Sequence, residues 1–343
     1  MEKYRQFADG GTGVNPFVPL WSNRKSPLAL RAAKYLVLFP IVVLRLSLLF
    51  VAALILALGE LLGFAIPLGI LRYPVYRLVT YVGCCLALFA LGVIPTSESL
   101  ADYRRLKLAP PKTTTGASPF DARRGMLVFA NQQGMTDVLY LGMKLCPTFV
   151  FAASDGTTVA CSLLAALSRA SSIEPLAPLP KASQLTLAQL SEEARSSWKG
   201  PVVVFPEGAR TTGNCVLRWG TEAFAGMEAL DKLDIAVVSL VYSKTGDYTP
   251  HHTVGTPLWH IFNLVYQPWH TLSATWLSST DVAIGLRGKA FPEQVAFLRT
   301  LLVRMIQGAV EVETSSSVYF DFTAFWDAAQ RKHYTQKEKK KSR

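Results

Sequence analysis

From Tyr35 to Ile70 the sequence runs YLVLFPIVVLRLSLLFVAALILALGELLGFAIPLGI, and between Leu46 and Leu58 it carries no charge. A run of that length is far longer than the core of a cleaved signal peptide. A second apolar run, Leu78 to Ile94, follows after Pro67, Arg72, Pro74 and Arg77. Only helices and closed barrels satisfy their backbone groups inside lipid, so the two runs predict either two membrane helices or a re-entrant hairpin, with a helix pair buried in a soluble core as the alternative. Arg72 and Arg77 at the turn favour the hairpin, because arginine side chains there can snorkel to the headgroups. Arg24, Lys25, Arg31 and Lys34 before the runs, and Arg104, Arg105 and Lys107 after them, place both flanks in the cytosol.

The chain then divides into a cytosolic N-terminal segment (1–34), a membrane anchor (35–98), a linker (99–120), a globular domain (121–315) and a C-terminal helix with a basic tail (316–343). A formal charge of +11 would suit nucleic acid, an anionic membrane or a phosphorylated substrate. No basic stripe interleaved with aromatics is present, which excludes nucleic acid, and the apolar first third selects the membrane. The end, Lys337-Glu338-Lys339-Lys340-Lys341-Ser342-Arg343, has lysines third and fourth from the terminus. That arrangement resembles the dilysine retrieval signal of endoplasmic-reticulum membrane proteins, and it equally suits a tail drawn to anionic lipid. Five cysteines, Cys84, Cys85, Cys146, Cys161 and Cys215, form neither a paired framework nor a metal-ligand spacing, as expected of reduced cytosolic thiols.

Beyond Pro110–Pro119, strand-like and helix-like runs alternate, the signature of an α/β layer fold. Strands are predicted at Met126–Ala130, Thr148–Ala152, Pro201–Phe205 and Ile235–Tyr242. Helices are predicted at Asp137–Leu145, Thr157–Arg169, Ser183–Trp198, Glu222–Leu230 and Pro292–Gln307. A strand that ends in Pro206-Glu207-Gly208 and continues into Ala209-Arg210 throws a carboxylate and a guanidinium into the crevice where open α/β sheets bind ligands. Gly208 lets backbone approach a ligand, and Arg210 offers a planar fork matched to phosphate oxygens.

Phe205-Pro206-Glu207-Gly208-Ala209-Arg210, followed by Leu217-Arg218-Trp219-Gly220 and Ala223-Phe224, resembles the third motif of the 1-acylglycerol-3-phosphate acyltransferase family. The resemblance implies a glycerolipid acyltransferase-type mixed sheet flanked by helices, with Glu207 and Arg210 holding a glycerol phosphate and Gly208 shaping the turn. The family's first motif is Asn-His, four residues, then Asp. At the matching place stands Asn131-Gln132-Gln133-Gly134-Met135-Thr136-Asp137, with Gln132 where the general-base histidine belongs. Glutamine cannot take the proton, and a lost base costs on the order of 10² to 10⁴ in rate. The family's second motif would fall at Ile173–Pro178 without its arginine pattern, and its fourth at Ile235–Leu240 without its proline. At the N-terminus, Met1–Tyr4 and Gly10-Gly11-Thr12-Gly13-Val14-Asn15-Pro16-Phe17-Val18-Pro19 resemble the fungal lysophosphatidic acid:oleoyl-CoA branch, which also lacks the histidine and belongs to the endoplasmic reticulum and lipid droplets.

The resemblance implies transfer of an acyl chain from acyl-CoA, as co-substrate, to lysophosphatidic acid, with no metal or other cofactor and no covalent intermediate. Gln132 would orient the hydroxyl or thioester, Asn131 would contact substrate, and Asp137 would orient Gln132, serve as a weak base, or be no more than a helix N-terminal aspartate favoured by the helix dipole. The alternative is a degenerate domain kept as a membrane or lipid-droplet adaptor. Four of the five histidines, His251, His252, His260 and His270, fall among Trp259, Phe262, Tyr266 and Trp269. Their spacing fits no metal ligand set, and the segment reads as an interfacial aromatic loop. A further expectation is that one of these histidines replaces the missing base.

Overall fold

The computed structural model describes residues 2–19, 28–66, 69–107, 119–153, 157–174, 185–224, 227, 229–244 and 248–341. Arg24, Lys25, Pro67, the linker over 110–118, residues 175–178 of the second-motif stretch, Ser183 and the final Ser342-Arg343 lie outside the described residues.

Two apolar helices come first, α1 (Leu28–Ala65) and α2 (Gly69–Ala90). Each is long and apolar enough to cross a membrane by length and composition. They pack on each other through small residues. A Cβ on Gly83 would stand 2.5 Å from Leu56 Cδ2, and one on Gly59 would stand 3.1 Å from Val79 Cγ1. The domain follows as β1 (Val93–Leu100), α3 (Tyr103–Leu106), β2 (Leu127–Ala130), α4 (Met135–Leu145), β3 (Thr148–Ala152), β4 (Thr158–Cys161), α5 (Leu163–Ser171), α6 (Leu187–Ser196), β5 (Val202–Phe205), β6 (Cys215–Val216), β7 (Ile235–Tyr242), α7 (Pro257–Val265), β8 (His270–Leu277), α8 (Ser279–Leu286), α9 (Phe291–Met305), β9 (Val310–Glu311) and α10 (Ser316–Lys341).

Seven strands form one mixed sheet in the order β1-β8-β7-β2-β5-β3-β4, and β6 pairs with β9 separately. β2, β5, β7 and β3 run parallel, while β7–β8 and β3–β4 are antiparallel. Alternation along the central strands supplies two cores. Val128, Val203, Val238 and Leu240 face α2, α4 and α7, whereas Phe129, Val204 and Val237 face α9 and its neighbours. Strands buried on both faces read as continuous apolar runs, which is why VVVF and IAVVSLVY announced themselves in the sequence.

The mixed α/β sheet flanked by helices, behind two apolar helices, agrees with the expected fold class. The differences are local. Thr157–Arg169 is not one helix: its β-branched start forms the edge strand β4 against β3, and α5 begins only after Ser162. Glu222–Leu230 is not a helix either; the described part is a short 3-10 turn over Thr221–Phe224. β1 joins the sheet from within the 35–98 segment, pairing parallel to β8 with an irregularity at Pro95, which has no N–H to give. Tyr248–His270 is not a loop throughout, since α7 occupies its middle.

The helix pair lies along the domain. α2 packs on α4, and Val42, Ala52, Leu56, Cys84, Leu88 and Leu91 belong to the same core as β2 and α4. Arg45 pins α1 to the α7–β8 junction, donating to the carbonyls of Val265 (2.9 Å), Gln267 (2.5 Å) and Pro268 (2.6 Å). The outer faces stay apolar, with Leu36, Phe39, Phe50, Leu54, Leu61 and Phe64 exposed. A third, aromatic core joins the two ends of the chain. Tyr4 stacks on Trp326 at 5.1 Å, and Phe7 and Phe17 meet Phe322 at 5.4 and 5.6 Å.

Candidate active site

β2 and β5 are neighbours in parallel register, so the loops after them, 131–134 and 206–213, leave the sheet side by side. Thr211 N–H donates to the Gln132 carbonyl at 3.1 Å, and Thr212 N–H to the Pro16 carbonyl at 3.0 Å, so the N-terminal segment also holds this loop. Glu207, 1% exposed, lies beneath the loops. Its Oε1 accepts the Gln132 amide at 3.3 Å and its Oε2 the Leu217 amide at 3.0 Å. Burial pushes its pKa up to about 8 against the pull of those two amides, so near neutral pH the carboxyl is largely protonated. It ties backbone together and faces no open space.

Asp137 is likewise internal. Its Oδ2 accepts the Gln133 and Gly134 amides at 2.5 and 2.8 Å, capping α4, and its Oδ1 accepts the Tyr242 hydroxyl at 2.7 Å. Burial raises its pKa to about 6, with those hydrogen bonds opposing the rise. Asn131 is matched to Leu240 of β7: Nδ2 donates to its carbonyl at 2.9 Å and Oδ1 accepts its amide at 2.8 Å. Three of the sequence-predicted residues, Asn131, Asp137 and Glu207, are therefore spent on holding the loops in shape.

Arg210 holds four partners. One terminal nitrogen donates to the Ala170 carbonyl (2.7 Å) and to His252 Nδ1 (3.0 Å); the other donates to the Ser172 carbonyl and the Tyr319 hydroxyl, both at 2.8 Å. Arginine can only donate, so His252 Nδ1 accepts, and its Nε2–H then donates to the Gly255 carbonyl at 3.1 Å. The guanidinium thus gathers the end of α5, the histidine loop and α10.

What faces open space is a narrow cleft at the carboxyl ends of β3 and β5, where Gln132, Gly208 and Arg210 meet Arg169, Glu174 and Tyr319. The room left in it is about 10 Å³, enough for a single water. Gly208 sits at φ +66°, and a Cβ there would press on Ala152 and Ser316 at 3.2 and 3.3 Å. Arg169 is the residue that sequence reading missed. It donates to the Glu174 carbonyl at 2.5 Å, and its pKa is lowered by burial and then by the nearby Arg210. Two guanidiniums so close together form an anion-favouring corner. Nothing in its spacing marked Arg169, which looked like an ordinary basic residue in the last turn of a helix.

The histidine loop does reach this region, because His252 N–H donates to the Gln133 carbonyl at 2.9 Å. None of the four histidines lines the cleft. His252 stacks on His260 at 4.3 Å, and His260 Nδ1 meets the Tyr248 hydroxyl at 2.8 Å. Burial lowers the pKa of His251 and His252 to about 3 and that of His270 to about 4, and holds His260 well below its ordinary value. All four are packing residues outside the cleft, and their lowered basicity makes each a weak proton acceptor, which counts against a substituted base. The aromatic side of the segment is split from them: Leu258, Trp259 and Trp269 are 80%, 61% and 65% exposed.

Residues 112–243 match a protein-family model described as Acyltransferase, a stretch that contains β2 through β7 and both loops of the cleft. Comparison with curated proteins gives no match. Among solved structures the chain is similar to the 1-acyl-sn-glycerophosphate (LPA) acyltransferase PlsC from Thermotoga maritima, at 12% identity and a TM-score of 0.41, over 78% of this chain and 95% of that one.

Proposed function

We propose that the chain transfers a fatty acyl group from acyl-CoA to the free hydroxyl of lysophosphatidic acid, giving phosphatidic acid, at the cytosolic face of the endoplasmic-reticulum membrane and on lipid droplets. The observation that carries this reading is the coincidence of the Acyltransferase match with the cleft, since the two loops flanking the cleft both lie inside the matched segment. Arg169, together with the Arg210 N–H that Tyr319 releases on withdrawing, meets the phosphate, and Gly208 lets it approach backbone. The Gln132 carboxamide faces the reacting atoms. It donates to the thioester carbonyl, where negative charge develops as the hydroxyl oxygen attacks. The carbon–sulfur bond breaks, and coenzyme A leaves as the thiol with the hydroxyl proton. Positioning and the reactive thioester replace a strong base, at a low rate.

Substrate needs more room than the cleft has, so Tyr319 and Phe320 of α10 must withdraw for binding. Lipid reaches the cleft along the helix pair, whose length against the domain suits a position in the membrane plane, with Trp259 and Trp269 at the headgroup level. The second reading, an adaptor without transfer, is favoured by the occupied Arg210 fork and the missing histidine.

Purified full-length protein with lysophosphatidate and labelled oleoyl-CoA decides between them. Gln132→Ala and Arg169→Ala are each expected to lower the rate by about tenfold or more without changing the melting temperature. A rate indifferent to both ends the enzymatic reading, and no product from the unaltered chain selects the adaptor.

A further inference from the structure

A cavity of about 400 Å³ opens at the end of β3 opposite the cleft. Thr148, the first residue of β3, lines the cavity, whereas Phe151 and Ala152 line the cleft. Three or four residues of strand put roughly 10 Å between the two. The cavity is walled by Phe64 of α1, Tyr73 and Tyr76 of α2, Pro147, Ala160 and Trp198. Phe64 and Trp198 flank its mouth, 87% and 39% exposed. Its volume falls in the range of small-molecule sites, which combine apolar walls with a few placed polar groups.

Those polar groups are present. Arg72 and Lys199 line it, Arg72 donating to the Ser197 carbonyl at 3.3 Å and Lys199 pairing with Glu193 at 2.7 Å. Arg124 stacks on Trp198 at 4.0 Å and approaches the Tyr73 ring at 5.9 Å. Deeper, Glu60 accepts the Tyr76 hydroxyl at 3.2 Å and the Leu164 amide at 3.3 Å. The apolar outer face of the helix pair continues to the mouth through Leu61, Phe64 and Leu71. A molecule entering from that face brings a hydrocarbon tail, and the cations at the rim select a negative head.

We propose that this cavity binds a single-chain anionic lipid, with its tail against Tyr76, Pro147 and Ala160 and its head at Arg72 and Lys199, as a site separate from the cleft. It rests on the membrane position of the helix pair and not on acyl transfer.

Trp198 in the wall gives a direct readout. Full-length protein in detergent is titrated with dibromostearate, with dibromostearoyl lysophosphatidate and with neutral dibromostearoyl glycerol, and the share of quenching lost in Trp198→Phe isolates that residue. Both anionic probes are expected to quench this share saturably, and the neutral one about tenfold more weakly, as a lost charge-assisted hydrogen bond dictates. Ala160→Phe, at an exposed position, fills the cavity and abolishes the saturable component with an unchanged melting temperature, while Arg72→Gln erases the preference for charge. The tighter of the two anionic probes tells whether phosphate or carboxylate is the better head. Quenching that never saturates, that is equal for the neutral probe, or that survives Ala160→Phe overturns the proposal. Acyl transfer is not measured, so failure of the enzymatic reading leaves this result standing.

Discussion

Glu207 and Gln132 are joined through a backbone amide, and their side chains do different work. Glu207 is kept neutral by burial, with a pKa of about 8 against an ordinary 4.5. A carboxyl whose folded pKa is raised gives its full stabilisation at low pH and loses it as the pH climbs through the folded value. Stability is therefore expected to fall between pH 4.5 and about 8 and to level off above, and Glu207→Gln should flatten that decline, as melting temperatures across the range will show. Arg210→Lys removes the fork that holds α5, the histidine loop and α10, at an expected cost of about 2–4 kcal/mol by chemical denaturation. The sequence announced Glu207 and Arg210 through their motif but not the direction in which they work. Whether a carboxylate faces a cleft or a backbone amide depends on Leu217 and Gln132 arriving from elsewhere in the chain, which spacing does not encode. Gln132 was legible as a departure from a pattern, while Arg169 carried no local signal because its meaning comes from Arg210 across the cleft.

Among the elements, α10 has the most consequence for the cleft. It is held by Tyr4, Phe7 and Phe17 from the other end of the chain, and Tyr319 bonds both Arg210 and the Thr253 carbonyl (2.9 Å). Tyr319→Phe loses two hydrogen bonds and is expected to cost about 1–3 kcal/mol. If α10 covers the cleft as proposed, initial rates of acyl transfer by this variant rise rather than fall. The helix pair is tested by Gly83→Leu, where the new side chain must displace Leu56; overpacking of this kind costs about 1–3 kcal/mol, readable in detergent melts. The central strands were plain in the sequence because both faces are buried. β1 and β8 were not: β1 is an exposed edge after Val93, and β8 alternates buried with half-buried residues beside interfacial aromatics, so neither gives a continuous apolar run.

Over the whole molecule, the apolar helices and the α/β domain share one core. Leu88 and Leu91 belong to it alongside Val138 and Val238, and Glu98 of β1 bonds Tyr140 (2.9 Å) and Lys144 (2.6 Å) on α4. Residues 93–343 expressed alone would bare the apolar flank of α4 and the carbonyls that Arg45 satisfies. This piece is expected to aggregate, which size-exclusion chromatography checks against the full chain in detergent. The pairing of β1 with β8 also imposes an order on synthesis. Val93 emerges from the ribosome about 180 residues before its partner His270, which at ordinary elongation speed is roughly 10–35 s. For that interval the helix pair is already made while its docking surface is unfinished, so the nascent chain has an exposed edge strand and a pair of apolar helices and no domain to lay them on. Until β8 arrives, the open edge of β1 and the apolar faces of the helix pair are free to pair with neighbouring chains.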